Sequence, residues 1–564
     1  MVTRILNRVL LCATALTLGL SAYAEEQTLA FPTAEGFGKY AIGGRGGKVV
    51  TVTSLADYTS EETPIEGTLR WALEQYKHTE TKQRHLVSTT GTDSIVEAQV
   101  TVYEPLTVVF NVAGNITLLE DLKVKRDYLT IAGQSAPGDG VCITGHSMLF
   151  NGATGGEMWY WGPRRKHVIV RYLRFRPTIP TDNSYVTYGT DVENYEHVIL
   201  DHCTMTWANE ECLAIYDNKY TTVQWCLVAE GLYRTNHKKG ARSYCGVWGG
   251  QFATYHHNLV AHNNSRNIRF NGARAHDTVA VIEYRNNVVY NWGTENSGYG
   301  LEIKIQVPNV RNELNMFNNY YKHGPASGNT KSAITISNKV HRLVRIDQST
   351  ASVEEGDTSH HFIEGNYMSH YPAITADNWY CGVQYSAYSD TAVAKALFRS
   401  TTMSPEIDVL LDTIETAEEA YARVLEDVGA NAPQQDWQDR RIINETINAT
   451  ASGTGTIGNG IIDDPQVVGG WPTLQGTPYI DSDADGIPDE WETAHGLDAT
   501  NPNDGCLITE SGYSNLEIYL NSIEPKPCTA VEACEDKSIQ PQKRMIDGML
   551  YIYYGNKVVN VLGF

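Results

Sequence analysis

"HVILDHCTM" (residues 197–205), "YTTVQWCLV" (220–228) and "ATYHHNLVA" (253–261) are three versions of one unit. Each has a short β-type run, a polar bend and a second apolar run. Branched and aromatic residues fill the runs, which suits a pleated, half-buried surface. The unit recurs as "YLTIAG" from Tyr128, "HVIVRYLRF" from His167, "VAVIEYRNNVVY" from Val279, "LNMFNNYY" from Leu314 and "HHFIEGNYM" from His360. Most spacings are roughly 25–35 residues, the range of repeat architectures. Helical periodicity is scarce between the runs, and a globular sandwich would show turn signals at closer spacing. Asparagines stand at bends, at Asn258, Asn287, Asn318 and Asn366. The pattern predicts an all-β chain, a right-handed parallel β-helix with two short strands per unit. Each coil buries its inner face on its neighbours, and the bend asparagines stack.

The composition agrees. The 564 residues include 33 tyrosines and 48 glycines, and only 20% are charged, as in a turn-rich β protein. A net charge of −22 argues against nucleic-acid binding. Arg4 and Arg8 precede an apolar run at 9–20, and "AYA" (22–24) follows with small residues at cleavage positions. This predicts a signal peptide over 1–24 and export. The run is too short to span a bilayer comfortably, and no later segment is long and apolar enough. Cys203, Cys212, Cys226 and Cys245 lie in strand-like runs and read as small buried residues, while Cys528 and Cys534 are placed to close a small loop.

The remainder divides by composition. The β-helix is expected over 25–400, with "GTLRWALEQY" (67–76) as a helix covering an open end of the solenoid. Residues 401–475 form a helical and irregular segment packing on it. Its helices are expected in "SPEIDVLLDTI" and "TAEEAYARVLEDVG", with Ser404 or Thr416 as caps. An acidic module spans 476–525, and a linker with a short tail spans 526–564; the tail reads as a hairpin with a Gly-Asn turn. In "DSDADGIPD", Asp481, Asp483, Asp485 and Asp489 surround Gly486, and Glu492 stands at the twelfth position. Alternate carboxylates at that spacing wrap one hard cation, as in the first part of an EF-hand loop. The stretch resembles thrombospondin type 3 repeats, and a structural Ca²⁺ is expected there.

Several stretches, in order, resemble polysaccharide lyase family 1, the pectate lyases, in its secreted bacterial branch. They are "FPTAEGFGKYAIGGRGGKVVTVTSLAD" (31–57), "VVFNVAGNI" (108–116), "LTIAGQSAPGDGVCITG" (129–145), "VIVRYLRFRP" (168–177), "VILDHCTMTWANEECLAIYD" (198–217) and "GVWGGQFATYHHNLVAHNNSRNIRFNG" (246–272). The resemblance implies the β-helix again, and an activity. Pectate lyases cleave polygalacturonate by β-elimination, a base removing the C5 proton while the C4 oxygen leaves. Cations must then stabilise the charge that develops beside the substrate carboxylate. The family's base is the arginine of an R-x-P motif. Arg266 holds that place, with Ile268 where the proline belongs. The resemblance makes Arg269 the second cation, and Lys239 and Arg242 substrate-binding cations. Glu211, in "WANEE", matches the family's calcium glutamate, and Glu210 replaces an aspartate. Tyr188 stands where another calcium aspartate belongs. Asp191 is three residues on and faces the other way in a regular strand, unless a bulge turns it. The implied cofactor is Ca²⁺, and the implied partner is acidic plant cell-wall polysaccharide, met by a chain expected to be a monomer, whose basic residues between 161 and 274 outnumber its acidic ones.

Three other functions fit parts of the sequence. A calcium-independent pectin lyase on methylesterified chains gains from Tyr188. A β-helix polygalacturonase needs carboxylates at hydrolase spacing, which Glu210, Glu211 and Asp217 do not obviously supply. A non-catalytic carbohydrate-binding β-helix is the third.

Overall fold

The structure is a computed structural model. It describes residues 27–87, 93–151, 164–273, 278–293, 297–303, 309–347, 358–385, 391–525, 542–546, 549–554 and 557–560. The expected signal peptide and the Cys528–Cys534 loop lie outside these residues.

Three parallel sheets run the length of the solenoid, one of ten strands and two of nine. Successive coils give one strand to each, as in Tyr195–Asp201, Thr204–Thr206 and Glu211–Tyr216. Three strands per coil, rather than two, form the wall. The third is hard to see in the sequence because it shrinks to two residues in Arg269–Phe270 and Tyr299–Gly300.

Val198, Leu200, Met205, Leu213 and Ile215 of one coil point inward and stack on their counterparts in the next. The first sheet is covered on its outer face as well. Ile169 and Ile199 pack there under Ala30, Phe31, Ala34 and Ala41. This explains why these strands read as continuous apolar runs. The covering arm lies almost in contact with the strands: a Cβ on Gly38 would sit 2.2 Å from the Val198 carbonyl oxygen. Its amides bond to threonines that project from three different coils, Phe37 N–H to Thr254, Gly38 N–H to Thr222 and Gly44 N–H to Thr130.

The asparagine ladder is present, with one correction. Asn258, Asn287, Asn319, Asn366 and Asn378 form it; from Asn287 onward each Oδ1 accepts from the backbone and side-chain amides of the asparagine before, and Asn258 Oδ1 accepts from the Cys226 N–H. Asn318 is not a member. It occupies the left-handed bend position (φ 53°) and donates outward to the Glu415 carbonyl. The same bend position in earlier coils holds Tyr172, His202, Trp225 and His257, whose rings stack.

Helix Leu69–Leu73, capped by Thr68, buries Leu69, Ala72 and Leu73 in the solenoid core beside the first strands. Residues 404–410 are not helical. The helices of the following segment are Ala417–Asp427, with Thr416 in a capping box, and Trp437–Asn448. They bury Val424, Leu425, Ile442 and Ile443 on the outer face of the second sheet. Short helices Asp489–His495 and Asn515–Asn521 follow, and Ile487, Leu516, Tyr519 and Leu520 pack on Val109 and Ala132 of the first sheet. Strands Gln542–Ile546, Met549–Tyr554 and Lys557–Asn560 make an antiparallel sheet in which Tyr554 pairs with Lys557, as the expected hairpin requires. Cys203, Cys212, Cys226 and Cys245 are free and buried.

Candidate active site

A bulge places Arg266. Tyr244 bridges to Ser265 while Val247 pairs with Arg269, so one strand advances by one residue more than its neighbour. The extra residue is absorbed where Arg266 takes φ 53°. Its guanidinium lies 4.1 Å from the centre of the Tyr244 ring, and Nη1 donates to Glu211 Oε1. Tyr244 is in register with Glu211 on the preceding coil. Arg242 lies against the same ring at 4.4 Å and pairs with Glu210, which also meets His237. Burial lowers the His237 pKa despite that carboxylate.

A second arginine–tyrosine cluster stands on the neighbouring coils. Arg269 and Arg345 lie 5.8 and 5.1 Å from the Tyr299 ring centre. Arg269 pairs with Glu302 at 2.8 Å and Arg345 with Asp347 at 2.6 Å. Burial opposes the charge on Arg269, but Glu302 outweighs it and the pKa is raised. Tyr244, Tyr299, Glu302 and Arg345 were not legible in the sequence. Arg345 lies far along the chain, and only strand register carries it to Tyr299.

The other expected site residues are distributed as follows. Strand Thr190–Glu193 is regular, with Thr190 and Val192 inward, so the bulge that would turn Asp191 is absent. Asp191 belongs to an outer column in register, Lys123–Leu149–Asp191–Ala214–Val247–Arg269. It stands three coils from Arg269, about 14 Å at ordinary strand spacing. Burial first, then Glu193 and Asp217, raise its pKa well above the usual range. The Lys239 side chain is exposed on a loop whose backbone bonds to His237. Arg171, Arg174 and Arg176 do not add to a basic groove. They are buried and neutralised by Asp201, Asp436 and Asp439. Trp207, Trp248 and Trp292 are core residues, and Asp201 and His202 bond within the coil wall.

The acidic turn gathers a cluster of carboxylates, whose membership differs from the one expected. Carboxylates of Asp483, Asp485, Glu492 and Asp504 offer oxygens within 4.8 Å of one another. Asp481 Oδ1, Asp483 Oδ2, Asp485 Oδ2, Asp504 Oδ1 and both Glu492 oxygens are buried without a hydrogen-bond partner among the described residues. Burial pushes the pKa of Asp481 up to about 6 and those of Asp485 and Glu492 up to about 7. Asp489 is not part of the cluster. Both its oxygens accept from Ser482, which lowers its pKa. Asp504 arrives from the next turn, and its only sequence signal is the "NPNDG" bend (501–505).

A three-sheet solenoid with four arginine–carboxylate pairs on its outer face defines a β-helix protein with a charged, ring-bearing surface track. No family model matches the chain. A probable pectate lyase C of Aspergillus fumigatus is 31% identical over 90% of this chain and 98% of its own length. One from Emericella nidulans is 29% identical over 90% and 95%. The chain belongs to this family, the pectate lyases, which are polysaccharide-cleaving lyases. These relatives are fungal and lend no support to a bacterial affiliation. Among solved structures, the cedar pollen allergen Jun a 1 matches 73% of this chain and 96% of its own at 15% identity, TM-score 0.42. A mutant pectate lyase of Bacillus subtilis matches 55% and 69% at 12% identity, TM-score 0.31.

Proposed function

We propose that the chain is an exported lyase that cleaves polygalacturonate by β-elimination, with Arg266 as the base. The observation that carries this is the placement of Arg266. A bulge projects it beside Tyr244, its side chain is mostly but not fully buried, and it lies among guanidiniums suited to substrate carboxylates. Arg266 takes the C5 proton, the C4–O bond breaks, a C4=C5 double bond forms at the new non-reducing end, and the leaving oxygen takes a proton from water to become the hydroxyl of the new reducing end. Arg266 Nη1 is engaged by Glu211 Oε1, so substrate must part the two before the guanidinium can reach the C5 proton. Arg269, Arg242 and Lys239 bind and phase the polyanion. Among the described residues no helix is long and apolar enough to cross a membrane; export rests on the sequence pattern at 1–24.

A hard cation takes six to eight oxygens. Beside Arg266, Glu211 is held by the guanidinium and Asp191 stands three coils from Arg269, so these two residues do not make a cage. The acidic turn does fit. Asp481, Asp483, Asp485, Glu492 and Asp504 would hold Ca²⁺ as a structural ion that fastens the turn to the first coils. The activity is tested by incubating purified protein with polygalacturonate and following 4,5-unsaturated oligogalacturonides. Their absence under conditions where the protein is folded overturns the reading.

A further inference from the structure

A recess of about 820 Å³ opens at the far end of the same outer face. Lys123 lines it, and Lys123 begins the register column that reaches Arg269. Five strand steps separate them, about 24 Å. The walls carry rings. Trp71 is half-buried on one element, and His146 stacks on Tyr185 with centroids 4.4 Å apart and planes 17° from parallel.

The charge around these rings differs from that at Arg266. Glu62, Glu74, Glu120 and Asp121 all border the recess. Against these four stand three lining cations: Arg70, which is bonded to Asp57 outside the lining and lies 3.7 Å from Glu120, Lys77, which is paired with Glu74, and Lys123. Carboxylates are therefore in excess, and a galacturonate carboxylate is repelled. Aromatic faces with carboxylate acceptors suit a sugar that carries no charge. Its C–H face covers a ring, and its hydroxyls donate to the carboxylates. A concave site with few convergent polar groups is the form such binding takes.

We propose that this recess binds neutral sugar residues. The proposed function supplies only the setting: the neutral residues would be carried on the polymer whose acidic stretch lies along the arginine clusters. Two sources share this chemistry, a methylesterified galacturonate run and a neutral branch sugar.

The test is calorimetric titration of the full chain with three probes: methylesterified trigalacturonate, galactotriose and unesterified trigalacturonate. At least one neutral probe should bind at millimolar concentration or tighter. Trp71→Ala and Tyr185→Ala should each weaken that binding roughly tenfold while turnover of polygalacturonate is unchanged. Trp71 also touches the core, so Tyr185→Ala, on a surface segment, keeps the test open if Trp71→Ala fails to fold. Which neutral probe binds identifies the source. Arg266→Lys should leave this binding intact, so loss of lyase activity and loss of the recess are separately visible. The proposal is overturned if neither neutral probe binds the wild type at about 10 mM, if a folded variant binds as the wild type does, or if the charged probe's binding falls equally in Tyr185→Ala.

Discussion

Arg266 and Glu211, 55 residues apart in sequence, are joined by an ion pair that reaches past the coil carrying Tyr244. The proposed base and the carboxylate matched to calcium are thus each other's partner. The two side chains meet at one place, and substrate has to separate them.

Arg266→Lys should leave the melting temperature within a few degrees of wild type and lower turnover of polygalacturonate by about a thousandfold or more. An ammonium is a point charge without the planar fork that meets Glu211 and the ring together. Ultraviolet absorbance of the unsaturated product reads the rate. A variant retaining a tenth of wild-type activity would remove Arg266 from the role of base.

Tyr244 holds two guanidiniums against one ring, and such contacts contribute about 0.5–2 kcal/mol each. Tyr244→Leu should reduce kcat roughly tenfold, while Tyr244→Phe, which keeps the ring, should stay within about twofold. Equal losses in the two variants would assign the effect to the hydroxyl instead.

The acidic turn should make stability calcium-dependent. Carboxylates with pKa values raised to about 6 and about 7 stabilise the metal-free fold below the unfolded value near 4. That contribution is lost as pH rises through about 7. Calcium binds the ionised form, so its effect on melting temperature should grow from pH 5 to pH 8. Glu492→Gln with Asp504→Asn should abolish the calcium effect. Asp489→Asn should not, because Asp489 bonds Ser482. Calorimetric scans with calcium or chelator decide it.

The ladder makes a contrast between neighbours. Asn287 is fully buried and bonds to Asn258, Tyr255 and Asn319. Asn287→Ala should cost about 3 kcal/mol, since partners are left buried and unpaired. Asn318→Ala loses one outward bond to Glu415 and should cost about 1 kcal/mol or less. Denaturant unfolding measures both.

Acid should release the helical segment from the wall. Glu445 is buried, but His262 and Arg441 hold its pKa down to about 2. His257 and Arg423 hold Glu415 at about 2 despite partial burial. Their contribution is present above the unfolded value near 4 and is lost as pH falls towards 2. The melting temperature should drop steeply between pH 4 and pH 2, and less steeply in Glu445→Gln, which starts lower.

Local signals were sufficient for part of this protein. The solenoid is written in each unit, because inward positions alternate with period two and bends need particular residues wherever they fall. The acidic cluster is written too, because most of its carboxylates lie within a dozen residues, and Glu492 stands at its expected place. Asn318 shows where local reading stops: ladder and bend positions are adjacent, both hold asparagine, and only side-chain direction separates them. The face that carries Arg266 was decided by the tertiary structure. Residues one coil apart lie at variable chain distances, because loops such as 230–243 interrupt the coils, and a one-residue bulge at Arg266 resets the register. Sequence spacing therefore cannot say that Arg266 meets Glu211 and Tyr244, that Arg345 joins Tyr299, that Asp191 stands three coils from Arg269, or that Asp504 joins the acidic turn. Each of these follows from lateral strand pairing and close packing, which bring together groups that the chain itself keeps far apart.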